Sequence, residues 1–173
     1  MSIAEQDKTL RLKNWIDGRE IESQESNYLS VTNPSNEEII SEVPLSTHKD
    51  LDQIVSCAAK AQKSWGRTTV KQRMHVLYNL KQKLEENMEE LAEIVSFECG
   101  KTVGEAKGGI LRGIECIEFA CSLPQLMAAP SLEVSEGIEC RQNYSPLGVV
   151  AGITPFNFPL MVPLWMAPLS LGC

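Results

Sequence analysis

No stretch of the sequence is apolar over the roughly 20 residues that a membrane-spanning helix needs. The opening MSIAEQDKTLRLKN is too polar for the apolar region of a signal peptide and too acidic for a typical transit peptide, so a cytoplasmic setting is expected. Histidine is scarce: His48 and His75 are far from a metal-ligand spacing, and the six cysteines, Cys57, Cys99, Cys116, Cys121, Cys140 and Cys173, include no C-x-x-C pair. That pattern indicates no metal site and suits buried or surface thiols in a reducing compartment. Basic charge is short as well, with 16 Lys and Arg against 23 Asp and Glu and a net charge of -7. Such a balance argues against nucleic acid and anionic membranes as partners. Repeats and low-complexity runs are missing, which excludes fibrous and disordered classes.

What is present is ordinary globular material: 173 residues, 43% hydrophobic and 23% charged, enough for one domain or for one piece of a larger one. Residues 12–45 carry strand signals. LKNWIDGREI places a turn at Asp17-Gly18 between two short extended pieces, and YLSVTNP and EEIISEVP follow, stopped by Pro34 and Pro44. A small antiparallel sheet is the expectation. Thr47 with Asp50 three residues on caps a helix to about Lys63 that turns Leu51, Ile54, Val55 and Ala58 to one face. From Thr69, Val70, Met74, Leu77, Leu84, Leu91 and Val95 keep a helical period, with a break at Asn87, a cap for the second helix with Glu90, and a stop at Gly100. A further helix over 102–121 directs Val103, Ala106, Ile110, Ile114 and Ile117 inward, and its Gly108, Gly109 and Gly113 invite close backbone approach.

The last third changes character. GIECRQNYS alternates Ile138, Cys140, Gln142 and Tyr144 with Glu139, Arg141 and Asn143, as a strand with one wet face would. LGVVAGI over 147–153 is continuous in apolar residues and glycine, the pattern of a strand covered on both faces, and Pro159 suits the first turn of the apolar helix after it. Such a strand-turn-helix unit opens a parallel sheet that one strand cannot complete. The turn itself, TPFNFP, stands where open α/β sheets gather ligands. Asn157 there has two readings: a helix cap, the common fate of an Asn before a helix, or an uncharged donor for an oxyanion formed in a dry site.

NWIDG, VTNPSNEEIISEVP, ECGKTVGEA and PLGVVAGITPFNFP occur in the order seen at the start of aldehyde dehydrogenases, and together they span most of the chain. Phe156 replaces the Trp of most members, and PFNFP before MVPLWM, with LRGIECIEFA upstream, resembles the methylmalonate/malonate-semialdehyde dehydrogenase branch. The resemblance implies an α/β fold: strands and helices of the cofactor-binding domain over 1–136, a strand of the oligomerisation region over 137–146, and the first strand and helix of a Rossmann-like sheet over 147–173. It further implies NAD as hydride acceptor, coenzyme A as acyl acceptor, loss of carbon dioxide to give acetyl- or propionyl-CoA, and assembly as a homo-oligomer. A cysteine thiolate forms the covalent intermediate, and Asn157 matches the side chain that holds its oxyanion. Thr154 and Phe156 match positions that line the nicotinamide cofactor. Arg112 in LRGIE matches an arginine that grips the substrate's carboxylate, as a bidentate guanidinium can; the plainer reading pairs it with Glu105, Glu115 or Glu118 on the surface. Lys101 and Glu105 fit a surface pair with no catalytic role.

The family's nucleophilic cysteine has no match here, and Cys173, in a small-residue helix end, fits packing. Two expectations follow: the N-terminal part of an acylating semialdehyde dehydrogenase, or a non-catalytic product that docks onto full-length subunits through an unpaired strand edge.

Overall fold

The structure is a computed structural model that describes residues 10–25 and 27–173. Two compact units are interleaved along the chain: the described residues up to Trp65 join Met88–Gly108, and Gly66–Asn87 joins Gly109–Cys173.

The first unit begins with β1 (Leu10–Arg11), β2 (Asn14–Ile16), β3 (Arg19–Ile21), β4 (Tyr28–Thr32) and β5 (Ile39–Pro44). β2 and β3 form the expected hairpin, with Asp17 and Gly18 both at positive φ in the two-residue loop that such turns favour. β4 runs antiparallel to β5, but β1 pairs with β5 in parallel. The expected antiparallel sheet is thus a mixed three-stranded sheet and a separate hairpin. α1 (His48–Trp65) starts at a box in which Asp50 Oδ2 accepts from Thr47 N at 2.8 Å while Asp50 N donates to Thr47 Oγ1 at 3.3 Å. The same carboxylate accepts from Ser23 Oγ at 2.8 Å and Gln24 N at 3.1 Å. A buried charge is tolerable because four donors surround it, the fourth being Thr47 Oγ1 at 3.0 Å. Leu51 and Val55, expected to share one apolar face, are 53% and 45% exposed; a period sets a common face but does not supply its cover. α3 (Met88–Cys99) ends at Gly100, whose φ of 70° and amide bond to Ser96 O make the expected glycine stop.

The second unit is built on α2 (Val70–Glu86), with a Thr69/Gln72 capping box at its start. Asn87 closes α2: its side chain donates to Lys83 O at 2.7 Å, so it serves the end of that helix rather than the start of α3. α4 (Val103–Cys121) begins in the first unit with a Thr102/Glu105 box and continues in the second. Its Ile110, Ile114, Ile117 and Ala120 are buried, as are Met74, Leu77 and Leu84 of α2; Val103, expected inside, is 38% exposed. Full burial of an Ile or Leu side chain contributes about 1.5–3 kcal/mol, so these faces are the main source of the unit's cohesion. α5 (Leu123–Leu126) and α6 (Met161–Gly172) both contact α2.

β6 (Ser131–Ser135) and β7 (Ile138–Arg141) form an antiparallel hairpin. β7 was expected with one wet face; every residue of both strands is exposed. Residues 147–153, expected as a strand, join no ladder among the described residues, because a strand exists only through hydrogen bonds to a neighbour. Pro159 precedes α6 instead of opening it. Pro163 occupies the first turn, where a missing N–H breaks no helical bond.

Candidate active site

Arg112, Thr154, Phe156 and Asn157 all fall in the second unit. Glycine decides how the turn that carries three of them meets α4. A Cβ at Gly109 would stand 3.9 Å from Phe158 Cδ1, and one at Gly113 would stand 2.7 Å from Leu164 Cδ1 and 3.3 Å from Leu164 Cβ. The end of the TPFNFP turn and the start of α6 therefore rest on nearly bare backbone of α4. Gly108 meets nothing within 4 Å, so the expected close approach occurs at two of the three glycines.

Arg112 follows Gly109 by one helical turn, about 4.5 Å along the axis, and it is exposed. Of the carboxylates proposed as its surface partners, Glu118 pairs with Lys81 at 3.3 Å and Glu105 accepts from Thr102 Oγ1 at 2.8 Å. That bond and one from the Thr102 backbone hold the Glu105 carboxyl below its usual range, and the charge of Lys101 lowers it further.

Asn157 sits in the turn before α6, and the N-cap position belongs to Leu160, three residues on. Asn157 therefore does not occupy the cap site that local rules favoured. It is exposed, as is Thr154. Its neighbours Ile153 and Phe156 are 95% and 90% exposed, so the residues described here do not enclose the carboxamide in a dry pocket. What they offer is an exposed turn whose next residue, Phe158, meets α4 at Gly109.

Desolvation pushes the Cys99, Cys116 and Cys121 thiols up, with Glu98, Glu115 and Glu118 respectively adding in the same direction. A thiol raised in this way stays protonated at neutral pH. Cys173, expected to pack, is exposed. Among the described residues no three His, Cys, Asp or Glu side chains gather as for a metal ion, and no helix is long and apolar enough to cross a membrane.

One contributor was not singled out from the sequence. Arg73 is only 6% exposed and donates from Nε to Gly172 O at 3.0 Å and from Nη1 to Thr68 O at 2.7 Å. It fastens the end of α6 to α2, where a cation suits the partial negative charge of a helix C-terminus. The available signal was an arginine beside Met74 on the apolar face of α2. The first unit holds a groove of about 460 Å³ lined by Asp17, Gln53, Ser56, Cys57, Lys60, Ala61 and Ser64. None of the expected site residues lines it.

The sequence pattern of the aldehyde dehydrogenase family matches residues 21–173, and the chain belongs to that family. It is 48% identical over 164 residues to a malonate-semialdehyde dehydrogenase of Halalkalibacterium halodurans, covering 94% of this chain and 34% of that protein. A malonate-semialdehyde dehydrogenase of Bacillus cereus is 47% identical over 163 residues, with 33% of its length covered. Among solved structures, a Sinorhizobium meliloti protein assigned as a methylmalonate-semialdehyde dehydrogenase, in complex with NAD, superposes with a TM-score of 0.94 at 37% identity. That match covers 97% of this chain and 34% of the other. The methylmalonate-semialdehyde dehydrogenase of Oceanimonas doudoroffii gives 0.92 at 36% identity, over 95% and 34%. The chain thus spans about a third of the length of the relatives it matches, and the α/β architecture expected from the sequence is that of the aldehyde dehydrogenase fold.

Proposed function

We propose that this chain supplies the oxyanion donor and the substrate-carboxylate grip of an NAD-dependent, coenzyme A-acylating dehydrogenase of malonate or methylmalonate semialdehyde. The observation that carries the reading is the seat of one turn on one helix. Phe158 rests against Gly109, Asn157 immediately precedes Phe158, and Arg112 stands one turn beyond Gly109. A semialdehyde of this class has a carboxylate and an aldehyde separated by a single carbon. A guanidinium and a carboxamide would suit those two ends, the first by charge-assisted paired hydrogen bonds and the second by donation to the oxygen on which charge develops. The names and identities of the malonate-semialdehyde dehydrogenases support the choice of substrate class.

Thr154 and Phe156 would hold the nicotinamide cofactor, the 90% exposed Phe156 ring offering a flat apolar surface to a planar ring. NAD, when bound, accepts the hydride. Asn157 has no proton to give up at neutral pH, so it orients and stabilises without titrating. Arg112 fixes one end of the substrate and leaves the aldehyde end free to meet a nucleophile. That nucleophile is a cysteine outside this chain, and coenzyme A takes the acyl group. The β6–β7 hairpin, open on both faces, is the surface we assign to association with further copies in a homo-oligomer.

The test is a chimera in which the matching segment of this chain replaces that of the Halalkalibacterium halodurans relative. NADH formation dependent on coenzyme A and malonate semialdehyde is the expected result. Arg112→Ala in the chimera should remove the preference for carboxylated over plain aldehydes, and an unchanged preference would refute the grip assigned to Arg112.

A further inference from the structure

The loop of the β2–β3 hairpin consists of Asp17 and Gly18 alone, closed by the Ile16–Arg19 pair. No other Asp or Asn in the sequence precedes a glycine. We propose that Asp17–Gly18 is a site of spontaneous isoaspartate formation in the folded protein.

The turn geometry favours the reaction in three ways. Residue 18 has no side chain to shield its nitrogen, and a Cβ built there would meet nothing within 4 Å. The φ values of Asp17 and Gly18 are 55° and 73°, a type I′ turn, and the related type II′ turn keeps a positive φ at the first position while reversing it at the second. Glycine accepts either sign, so the peptide plane between the two residues can rotate while the strands stay paired. That rotation swings the Gly18 nitrogen to the side of Asp17 Cβ, where the carboxyl carbon is within reach of a five-membered ring. Thirdly, the Asp17 carboxylate is 64% exposed. Its contact with Arg19 Nη2 at 3.1 Å lies in solvent, and an exposed pair of this kind is weak and readily exchanged.

In the first step the Gly18 nitrogen bonds to Asp17 Cγ and a Cγ–O bond breaks. The oxygen leaves as water, carrying the amide proton and one proton from solvent. A second water then opens the cyclic imide at the main-chain carbonyl, so that the chain runs on through the former side-chain carboxyl carbon and a free α-carboxylate is left. No electrons are transferred and mass is unchanged. The product adds a methylene to the main chain at the hairpin tip, beside the groove that Asp17 lines with α1.

The experiment is prolonged incubation of the purified chain at physiological temperature and neutral pH. Isoaspartate is then counted by enzymatic methyl transfer to the free α-carboxylate and located by peptide mapping. The expected result is isoaspartate at position 17 several-fold above that at Asp50 and Asp52, with loss of that signal in Asp17→Glu, where attack would need a six-membered ring. Isoaspartate at position 17 no greater than at Asp50 and Asp52, or the same methyl incorporation in Asp17→Glu, would overturn the proposal.

Discussion

Gly113 of α4 approaches Leu164 of α6 so closely that a Cβ on the glycine would lie 2.7 Å from Leu164 Cδ1 and 3.3 Å from Leu164 Cβ. The first distance involves the mobile end of a side chain, and the second a carbon fixed to the α6 backbone. Gly113→Ala gains up to about 1 kcal/mol of helix propensity but incurs an overpacking cost of about 1–3 kcal/mol. The overpacking wins, and a lower denaturant midpoint is expected. Gly108→Ala, with open space around it, should keep or raise the midpoint, and the pair of variants measured side by side checks the assignment.

Asp50 governs an acid transition. Hydrogen bonds from the Thr47 backbone, then from Ser23, Gln24 and the Thr47 side chain, hold its carboxyl down to about 2 against an ordinary 3.8, despite the opposing effect of burial. A carboxylate depressed in the folded state binds its proton more readily when unfolded, so its stabilisation is complete above the unfolded value and is lost as pH falls through the folded one. Thermal melts should therefore lose stability between about pH 4 and pH 2. Asp50→Asn should melt lower at neutral pH and lose less over that window; an equal loss in both proteins would assign the acid transition to other groups.

Arg73 joins α2 to the last carbonyl of α6 through bonds of a charged donor. Arg73→Met would remove both bonds, the one to the carbonyl of buried Gly172 included, at a cost of about 1.5–3 kcal/mol. Arg73→Lys should recover only part of this, since a point charge cannot reach both oxygens as the planar fork does. Urea melts of the three proteins give the order directly, and equal midpoints would show that the two bonds contribute nothing net.

Features that depend on neighbours in sequence were legible before the structure. The Asp17-Gly18 hairpin, the Thr47/Asp50 box, the break at Asn87 and the Gly100 stop each follow from backbone preferences within a few residues. Features that depend on partners distant in sequence were not. The parallel pairing of β1 with β5 has no local signature, and the exposure of Leu51 and Val55 reflects what covers α1 rather than its period. The run over 147–153 has the composition of a buried strand, but composition cannot provide the neighbour that a ladder requires. At the candidate site, Arg112 and Asn157 were named through resemblance. How the turn before α6 meets α4 depends on Gly109 and Gly113, whose lack of side chains could be read while the identity of their partners, Phe158 and Leu164, could not.

The central claim is that Asn157 stabilises an oxyanion, and turnover in the chimera with the malonate-semialdehyde dehydrogenase relative tests it most directly. Asn157→Ala should lower kcat by roughly a hundredfold or more at a temperature where the variant remains folded. A variant that keeps its turnover and loses only stability would contradict the account and return Asn157 to a structural role in the turn.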